Sequence, residues 1–239
     1  GNMRTIYDRG TNKPLGKIPQ VPHTYKVVGF MNEHQLAIGE TTFGGRDELV
    51  DTTGIIDYGS MMFIALERAK TAREAIKLII ELLNEYGYAS SGETFSIADP
   101  NEVWIMEIVG KGVELVYDKK QKKYVNKNKG IVCVAIKIPE GYVSAHANHS
   151  RITNFPLENM KNSISCKNLD KIFDENIEVV YSHDVISFAR DKKYFSGKDE
   201  DFSFSQAYAP INYSAARGCE LRVWAMFNEI SDDMAKYWD

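Results

Sequence analysis

Five polar side chains crowd into one short segment and are the first candidates for chemistry. The segment is YVSAHANHSRI at 142–152, and the five are His146, Asn148, His149, Ser150 and Arg151. The start of this run predicts an extended segment that ends in the polar cluster, and such clusters at strand ends are common at active sites. The same residues also suit a hydrogen-bonded turn with no catalytic part. The pattern alone leaves both interpretations open.

Two of these residues, His146 and His149, can each offer an imidazole to a metal ion. Zinc sites usually need three or four protein ligands at recognisable spacing, and no HExxH motif or carboxylate triad accompanies the pair. The sequence therefore predicts no metal site and no cofactor.

The three cysteines are the other candidates for nucleophilic chemistry. Cys133 lies in the apolar run IVCVAI, Cys166 in a polar stretch and Cys219 in a predicted helix. An odd number of widely spaced cysteines without a CxxC motif favours neither a disulfide framework nor a zinc site. Free cysteine is more often a small buried hydrophobe than a nucleophile, so three free thiols are expected.

The clearest predicted element is a helix from Thr71 to about Tyr86. Thr71 and Glu74 fit a capping box, apolar residues repeat at helical spacing, and Gly87 stands where a left-handed cap ends a helix. Three further helices are predicted, at 59–68, at 184–193 with Ser182 as its N-cap, and at 216–230.

Strands are predicted on both sides of these helices. The runs 95–98 and 103–109 flank the turn signal Asp99-Pro100-Asn101, and the near-continuous apolar run VWIMEIV indicates burial on both faces. One hairpin is expected from 26–30 and 35–39. Another is expected from 112–117 and 131–137, with a lysine-rich exposed tip. The glycine pair in ETTFGGR lacks the spacing of a phosphate-binding loop and is interpreted as a turn.

Bulk composition describes an ordinary globular protein. The 239 residues are 44% hydrophobic, which can fill a substantial core, and no repeat or low-complexity linker divides them. A net charge of −4 gives no electrostatic footprint for nucleic acid or an anionic membrane. No apolar run approaches the ~20 residues that span a bilayer, and the opening GNMRTIYDRG has no signal-peptide core. The compartment and the oligomeric state, a homo-oligomer included, stay open.

Several long motifs in order resemble one family. They are MNEHQLAIGETTFGGR, DTTGIIDYGS, TAREAIKLI, EYGYASSGETFSIADPNEVWIMEIVGKG, GYVSAHANHSRI, DEDFSFSQAYAP and ARGCELRVW. Together they resemble bacterial cysteine dipeptidases of the dipeptidase A type, nearly from end to end. The resemblance implies an α+β, four-layer αββα N-terminal-nucleophile hydrolase fold, with two stacked, mostly antiparallel sheets between helices.

Members of that family use a cysteine exposed as the first residue of the mature chain. Its thiolate attacks the peptide carbonyl, and the free α-amino group, with a reference pKa of about 7.7–8.0, acts as general base. Residue 1 here is Gly1, and none of the cysteines is near the start. We therefore expect a single domain over 1–239, truncated at both ends, whose nucleophile lies upstream and which is inactive by itself.

The resemblance also implies site residues. Asn148 falls where related amidases place an asparagine that stabilises the oxyanion, and Thr42 stands where they have another asparagine. Arg217 matches their arginine near the nucleophile, although Arg222 fits an alternative register.

A small peptide is the expected partner, and its charged ends need complementary groups. Glu40 suits the substrate ammonium, Arg46 suits the carboxylate, and His146 joins the substrate-binding set. Simple intradomain ion pairs are the alternative for Glu40 and Arg46. Two other functions stay open, a penicillin or bile-acid amidase and a non-catalytic binding domain with the same fold.

Overall fold

The computed structural model describes residues 1–237 as a mixed α+β protein. Its strands, in chain order, are β1 Met3–Tyr7, β2 Pro14–Pro19, β3 Val27–Val28, β4 Met31–Asn32, β5 Ala37–Gly44, β6 Gly92–Ala98, β7 Val103–Gly110, β8 Leu115–Asp118, β9 Lys123–Asn126, β10 Ile131–Lys137, β11 Ser163–Ser165 and β12 Val179–Tyr181. Its α-helices are α1 Tyr58–Arg68, α2 Ala72–Tyr86, α3 Val185–Asp191, α4 Phe204–Tyr208, α5 Tyr213–Ala215 and α6 Leu221–Ile230.

Eight strands form one large sheet in the order β11-β12-β10-β7-β6-β5-β4-β3. Its pairings are antiparallel except that of β11 with β12. The pairs β1–β2 and β8–β9 form separate two-stranded sheets. The predicted α+β class is confirmed. A second large sheet, stacked on the first, is not among residues 1–237.

The large sheet has one covered face and one that is half open. Helices α1 and α2 pack over the first face, on a core that includes Phe95, Trp104 and Met106. Because side chains alternate along a strand, the intervening residues face the other side. There a second apolar cluster covers β10 and β12. The neighbouring half, on β5 to β7, is polar and carries Thr41, Thr94, Ser96 and Glu107.

The local sequence explains the two covering helices. Asp57 accepts the backbone N–H of Ser60 at 2.6 Å, and Thr71 accepts that of Glu74 at 3.2 Å, so each first turn is capped. Gly87 ends α2 with a φ of 80°, a conformation that favours glycine. The predicted helices at 59–68 and 71–86 are confirmed. None of the helices in residues 1–237 has the length and apolar character to cross a membrane.

Both predicted hairpins were wrong in their partners. Gly29, with a φ of 60°, turns the chain inside the first, so β3 pairs with β4, and β5 runs on to Gly44 beside β6. In the second, β8 pairs with β9 through the Tyr117–Tyr124 contact. Only residues 119–122 form the tip, and β10 lies beside β7 in the large sheet. The cross-strand pairs Tyr117–Tyr124 and Val116–Val125 stabilise this shorter β8–β9 hairpin.

Two other predictions changed in detail. The 142–152 segment is a loop, and the N–H groups of Arg151 and Ile152 at its end bond to the Glu107 carboxylate instead of a strand. Ser182 does not cap α3, since its hydroxyl accepts the N–H of Cys133 at 2.9 Å and Asp184 precedes the helix. The helix predicted at 216–230 is present, continuous with α5 through one wider π turn at 216–220.

Candidate active site

The 142–152 loop lies over the polar half of the open sheet face. His146 provides the first attachment, with Nδ1 2.8 Å from the Thr41 hydroxyl on β5 and Nε2 2.8 Å from the Ser96 hydroxyl on β6. Burial lowers the pKa of His146, and the positive charge of Arg151 acts in the same direction. The imidazole is therefore neutral at pH 7, donating to one hydroxyl and accepting from the other.

Glu107 on β7 provides the second attachment. Its carboxylate accepts the Ser150 hydroxyl, the Arg151 N–H at 2.6 Å and the Ile152 N–H at 3.3 Å. Burial raises the pKa of Glu107 to about 7, although these donors act to lower it. Sequence reasoning missed this residue. The available signal was a lone carboxylate inside the apolar run VWIMEIV, which must find partners when buried.

Between the two attachments, Asn148 is held at the edge of β5. Its φ is 54°, a left-handed conformation that asparagine tolerates better than most residues. Its Nδ2 donates to the Thr42 carbonyl oxygen at 2.7 Å, and its Oδ1 accepts from Arg222 Nη2 at 2.9 Å. Arg222 also donates to the Ala147 carbonyl at 3.0 Å. The side chain is exposed, and a second Nδ2 hydrogen is left for a ligand.

Thr42 and Glu40 belong to the same strand, β5. The Thr42 hydroxyl donates to Glu93 Oε2 at 2.8 Å, across the register that pairs the two residues. Glu93 is buried, and burial raises its pKa to about 8, with the neighbouring Glu40 adding to the effect. Glu40 itself is exposed, and it lies on the side of the sheet that carries Phe95 and Glu93, opposite to Thr41. Sequence reasoning did not identify Glu93.

The other two predicted residues contact different parts of the protein. Arg46 donates from Nε to the Ala207 carbonyl at 2.8 Å, and its guanidinium lies 3.9 Å from the centre of the Tyr194 ring. Arg217 donates to the Tyr213 hydroxyl at 2.9 Å. The arginine that the structure brings to Asn148 is therefore Arg222.

All three cysteines are free, as predicted. Cys133 is fully buried beside the Ser182 hydroxyl, and burial raises the pKa of its thiol to about 12. Cys166 lies 3.2 Å from His183 Nδ1, and burial raises its thiol pKa as well. A raised pKa leaves little thiolate at neutral pH, so neither is suited to nucleophilic attack. Among residues 1–237, no group of three metal-binding side chains could hold an ion.

Comparison with known proteins identifies the family. Residues 3–237 match the model of peptidase family C69. A "Probable dipeptidase" of Salmonella dublin is 23% identical over 199 residues, which cover 80% of this chain and 37% of that protein. A "Probable dipeptidase B" of Streptococcus pyogenes serotype M1 is 24% identical over 192 residues, which cover 78% of this chain and 31% of that protein. The chain thus spans about a third of the length of the curated relatives it matches. Because the family model covers nearly all of its residues, this chain belongs to peptidase family C69.

Proposed function

We propose that this chain forms the scaffold and one pocket wall of a dipeptidase that hydrolyses dipeptides. The observation that carries the proposal is Asn148, held left-handed at an open sheet edge by Thr42 and Arg222 with one amide hydrogen to spare. An exposed carboxylate, that of Glu40, lies on β5, the strand that also carries Thr42. The family match and the names of the two relatives support a peptidase of this type.

The nucleophile in this proposal is a cysteine at the start of the mature polypeptide, outside residues 1–239. Its thiolate attacks the peptide carbonyl while its own α-amine takes the thiol proton and returns it to the leaving amine. Asn148 donates its remaining N–H to the oxyanion of the tetrahedral intermediate. The raised pKa values of Cys133 and Cys166 support an outside nucleophile over one of these thiols.

Charged groups on the chain would hold the two ends of the substrate. Glu40 takes the ammonium group, and its exposed carboxylate suits that interaction. Arg46 takes the carboxylate through its two Nη groups, since its hydrogen bond to Ala207 uses Nε. His146, bonded to Thr41 and Ser96, belongs to the proposed substrate-binding set. A second stacked sheet would complete the proposed four-layer αββα fold.

A substrate panel tests the proposed function. The full-length polypeptide is incubated with dipeptides, with a penicillin and with a conjugated bile acid, and free amine is measured. We expect release from dipeptides alone. Release only from the penicillin or the bile acid would show an amidase instead, and no release from any of them would favour a binding domain.

Two arginine variants then locate the site arginine. Arg222→Gln removes a charged donor that orients the Asn148 amide, so we expect kcat to fall about tenfold, the value of one such hydrogen bond. Arg217→Gln, on the same helical stretch, loses only its Tyr213 contact and is expected to stay within about twofold of the parent. Steady-state kinetics on one dipeptide compares them, and the opposite ranking would place Arg217 in the site.

A further inference from the structure

A polar cavity lies between the end of the 142–152 loop, helix α4 and the π turn at 216–220. Nine residues line it, and Ala209 and Ile211 are the two apolar ones among them. Its volume is about 250 Å³, somewhat below the ~300–1,000 Å³ typical of sites for drug-sized ligands. Such a space takes a small polar molecule together with some water, since one water occupies about 30 Å³ in the liquid.

Two side chains line this cavity with polar atoms that the protein leaves unpaired. Glu220 pairs with Arg151 through Oε2, but its Oε1 is buried and has no hydrogen-bond partner within residues 1–237. His149 is 8% exposed, and within the same part of the chain neither of its ring nitrogens is hydrogen-bonded. Burial lowers the pKa of this imidazole, although the charge of Glu220 acts to raise it. The ring is therefore neutral at pH 7, with one donor and one acceptor nitrogen.

The unpaired atoms favour an occupant that donates hydrogen bonds. A buried acceptor without a partner costs free energy, and a donor that fills the cavity recovers it. An ammonium group has three N–H donors, so it can bond to Glu220 Oε1 and to the acceptor nitrogen of His149 together. A metal ion is a poorer match, because no third metal-binding side chain joins this pair within the described part of the chain. Glu220 also lies in a π turn, a feature that is frequent at functional sites.

Arg151 places a positive charge beside these acceptors. Its Nη1 donates to Glu220, which leaves the N–H groups of Nε and Nη2 for an anion. Because the two side chains are in direct contact, a ligand that meets both must have its own charges close together. An α-amino acid carries its ammonium and its carboxylate on one carbon atom, whereas the ends of an extended dipeptide are about 7 Å apart. The ion pair therefore matches an amino acid better than a dipeptide.

The remaining polar residues of the lining suit the side chain of such a ligand. The Ser205 hydroxyl has one contact, 3.5 Å long, with a neighbouring serine, so it can still bond elsewhere. Thr153 and Gln206 are exposed at the rim. The Ser150 hydroxyl already donates to a buried carboxylate. A small or polar side chain fits among these groups, and water fills the rest.

We propose that this cavity binds a free α-amino acid, with its ammonium on Glu220 Oε1 and His149 and its carboxylate on Arg151. The inference goes beyond the proposed function, because it concerns a second binding site and requires no hydrolysis. The competing occupant is water alone, which can also satisfy buried polar atoms.

Histidine ring NMR on the 239-residue chain tests the binding. The chain is titrated with alanine, and then with propionate and ethylamine, each of which lacks one of the two charges. We expect a saturable shift of the His149 signals with alanine, and binding of either fragment that is at least about tenfold weaker, the effect of one lost charged hydrogen bond. The signals of His23 and His34, which pack on Tyr25, should not move.

Three results of these titrations would overturn the proposal. No shift at His149 would mean that water alone fills the cavity. Binding of propionate as tight as that of alanine would show a simple anion site on Arg151. Tighter binding of alanylalanine than of alanine would show a dipeptide site instead of an amino-acid site.

A charge-neutral variant then tests the role of Glu220. Glu220→Gln keeps the size of the side chain but removes the negative charge, so we expect alanine to bind about tenfold more weakly or worse. Glu229→Gln makes the same change at an exposed position of α6 and should leave the affinity unchanged. Thermal unfolding checks that both variants are folded. An unchanged affinity in folded Glu220→Gln would refute the assignment, and the titration of the parent chain decides it even if that variant does not fold.

Discussion

Replacing Asn148 with alanine in the full-length polypeptide is expected to lower kcat by about 10²–10³ with the fold intact, the loss typical of one oxyanion donor. The effect should fall on kcat more than on KM, because the N–H group meets negative charge only in the tetrahedral intermediate. The geometry supports this result, since Thr42 and Arg222 fix the amide before substrate arrives and no reorganisation is needed.

Backbone strain is the competing explanation, because Asn148 has a φ of 54° that alanine tolerates poorly. Two variants separate the causes. Asn148→Gly relieves the strain and should keep the kinetic loss. Asn12→Ala makes the same substitution at a φ of 56° in the turn after β1 and should leave kcat unchanged. Dipeptide kinetics measure kcat for the three variants, and circular dichroism checks that each is folded. An Asn148→Ala variant with the parent rate would exclude Asn148 from the chemistry.

The parts of the fold that were predictable are those whose sequence signals are local. The α2 helix has its cap, its apolar stripe and its terminal glycine within 17 residues, 71–87, and it forms as expected. The partners of β10 were not predictable in this way. An apolar strand such as IVCVAI fits beside many neighbours, and its place next to β7 depends on burial of both faces, which no local pattern encodes.

The same distinction applies to the candidate site. The polar run at 146–151 was visible as a cluster, and the resemblance to a family drew attention to Asn148. Local pattern did not show the long-range partners: Arg222, which the resemblance offered only as an alternative to Arg217, contacts a residue 74 positions away, and Glu107 contacts Ser150, 43 positions away. Arg46 shows the reverse, because its charge suggested a substrate contact while the structure also stacks it on Tyr194. Charge type predicts what a side chain can bind, and topology decides which partner it meets.

Glu107→Leu is expected to lower the free energy of unfolding of this chain by about 3 kcal/mol or more at pH 5. The substitution puts an apolar side chain of similar size on β7 and removes the acceptor for the Ser150 hydroxyl and for the N–H groups of Arg151 and Ile152. Each donor left unsatisfied costs about 1–3 kcal/mol, and Glu107 is fully buried, so water does not replace the lost acceptor. For a chain of this size, the melting temperature should fall by about 6–12 °C.

The loss of unfolding free energy in Glu107→Leu should also depend on pH, and the pKa of Glu107 determines the direction. Burial raises that pKa from 4.5 to about 7, so between these values the folded parent binds more protons than the unfolded chain. Glu107 therefore makes the parent lose stability as the pH rises from 4.5 through 7, and the leucine variant lacks this contribution while both proteins keep that of Glu93. Thermal unfolding at pH 5 and pH 8 should show that the difference in melting temperature between the parent and Glu107→Leu is smaller at pH 8. Glu114→Leu, which removes an exposed ion pair with Lys127, is the matched control. Its melting temperature should differ little from that of the parent at either pH. A gap that widened with pH would mean that Glu107 is held ionised, and that it anchors the 142–152 loop as a charge.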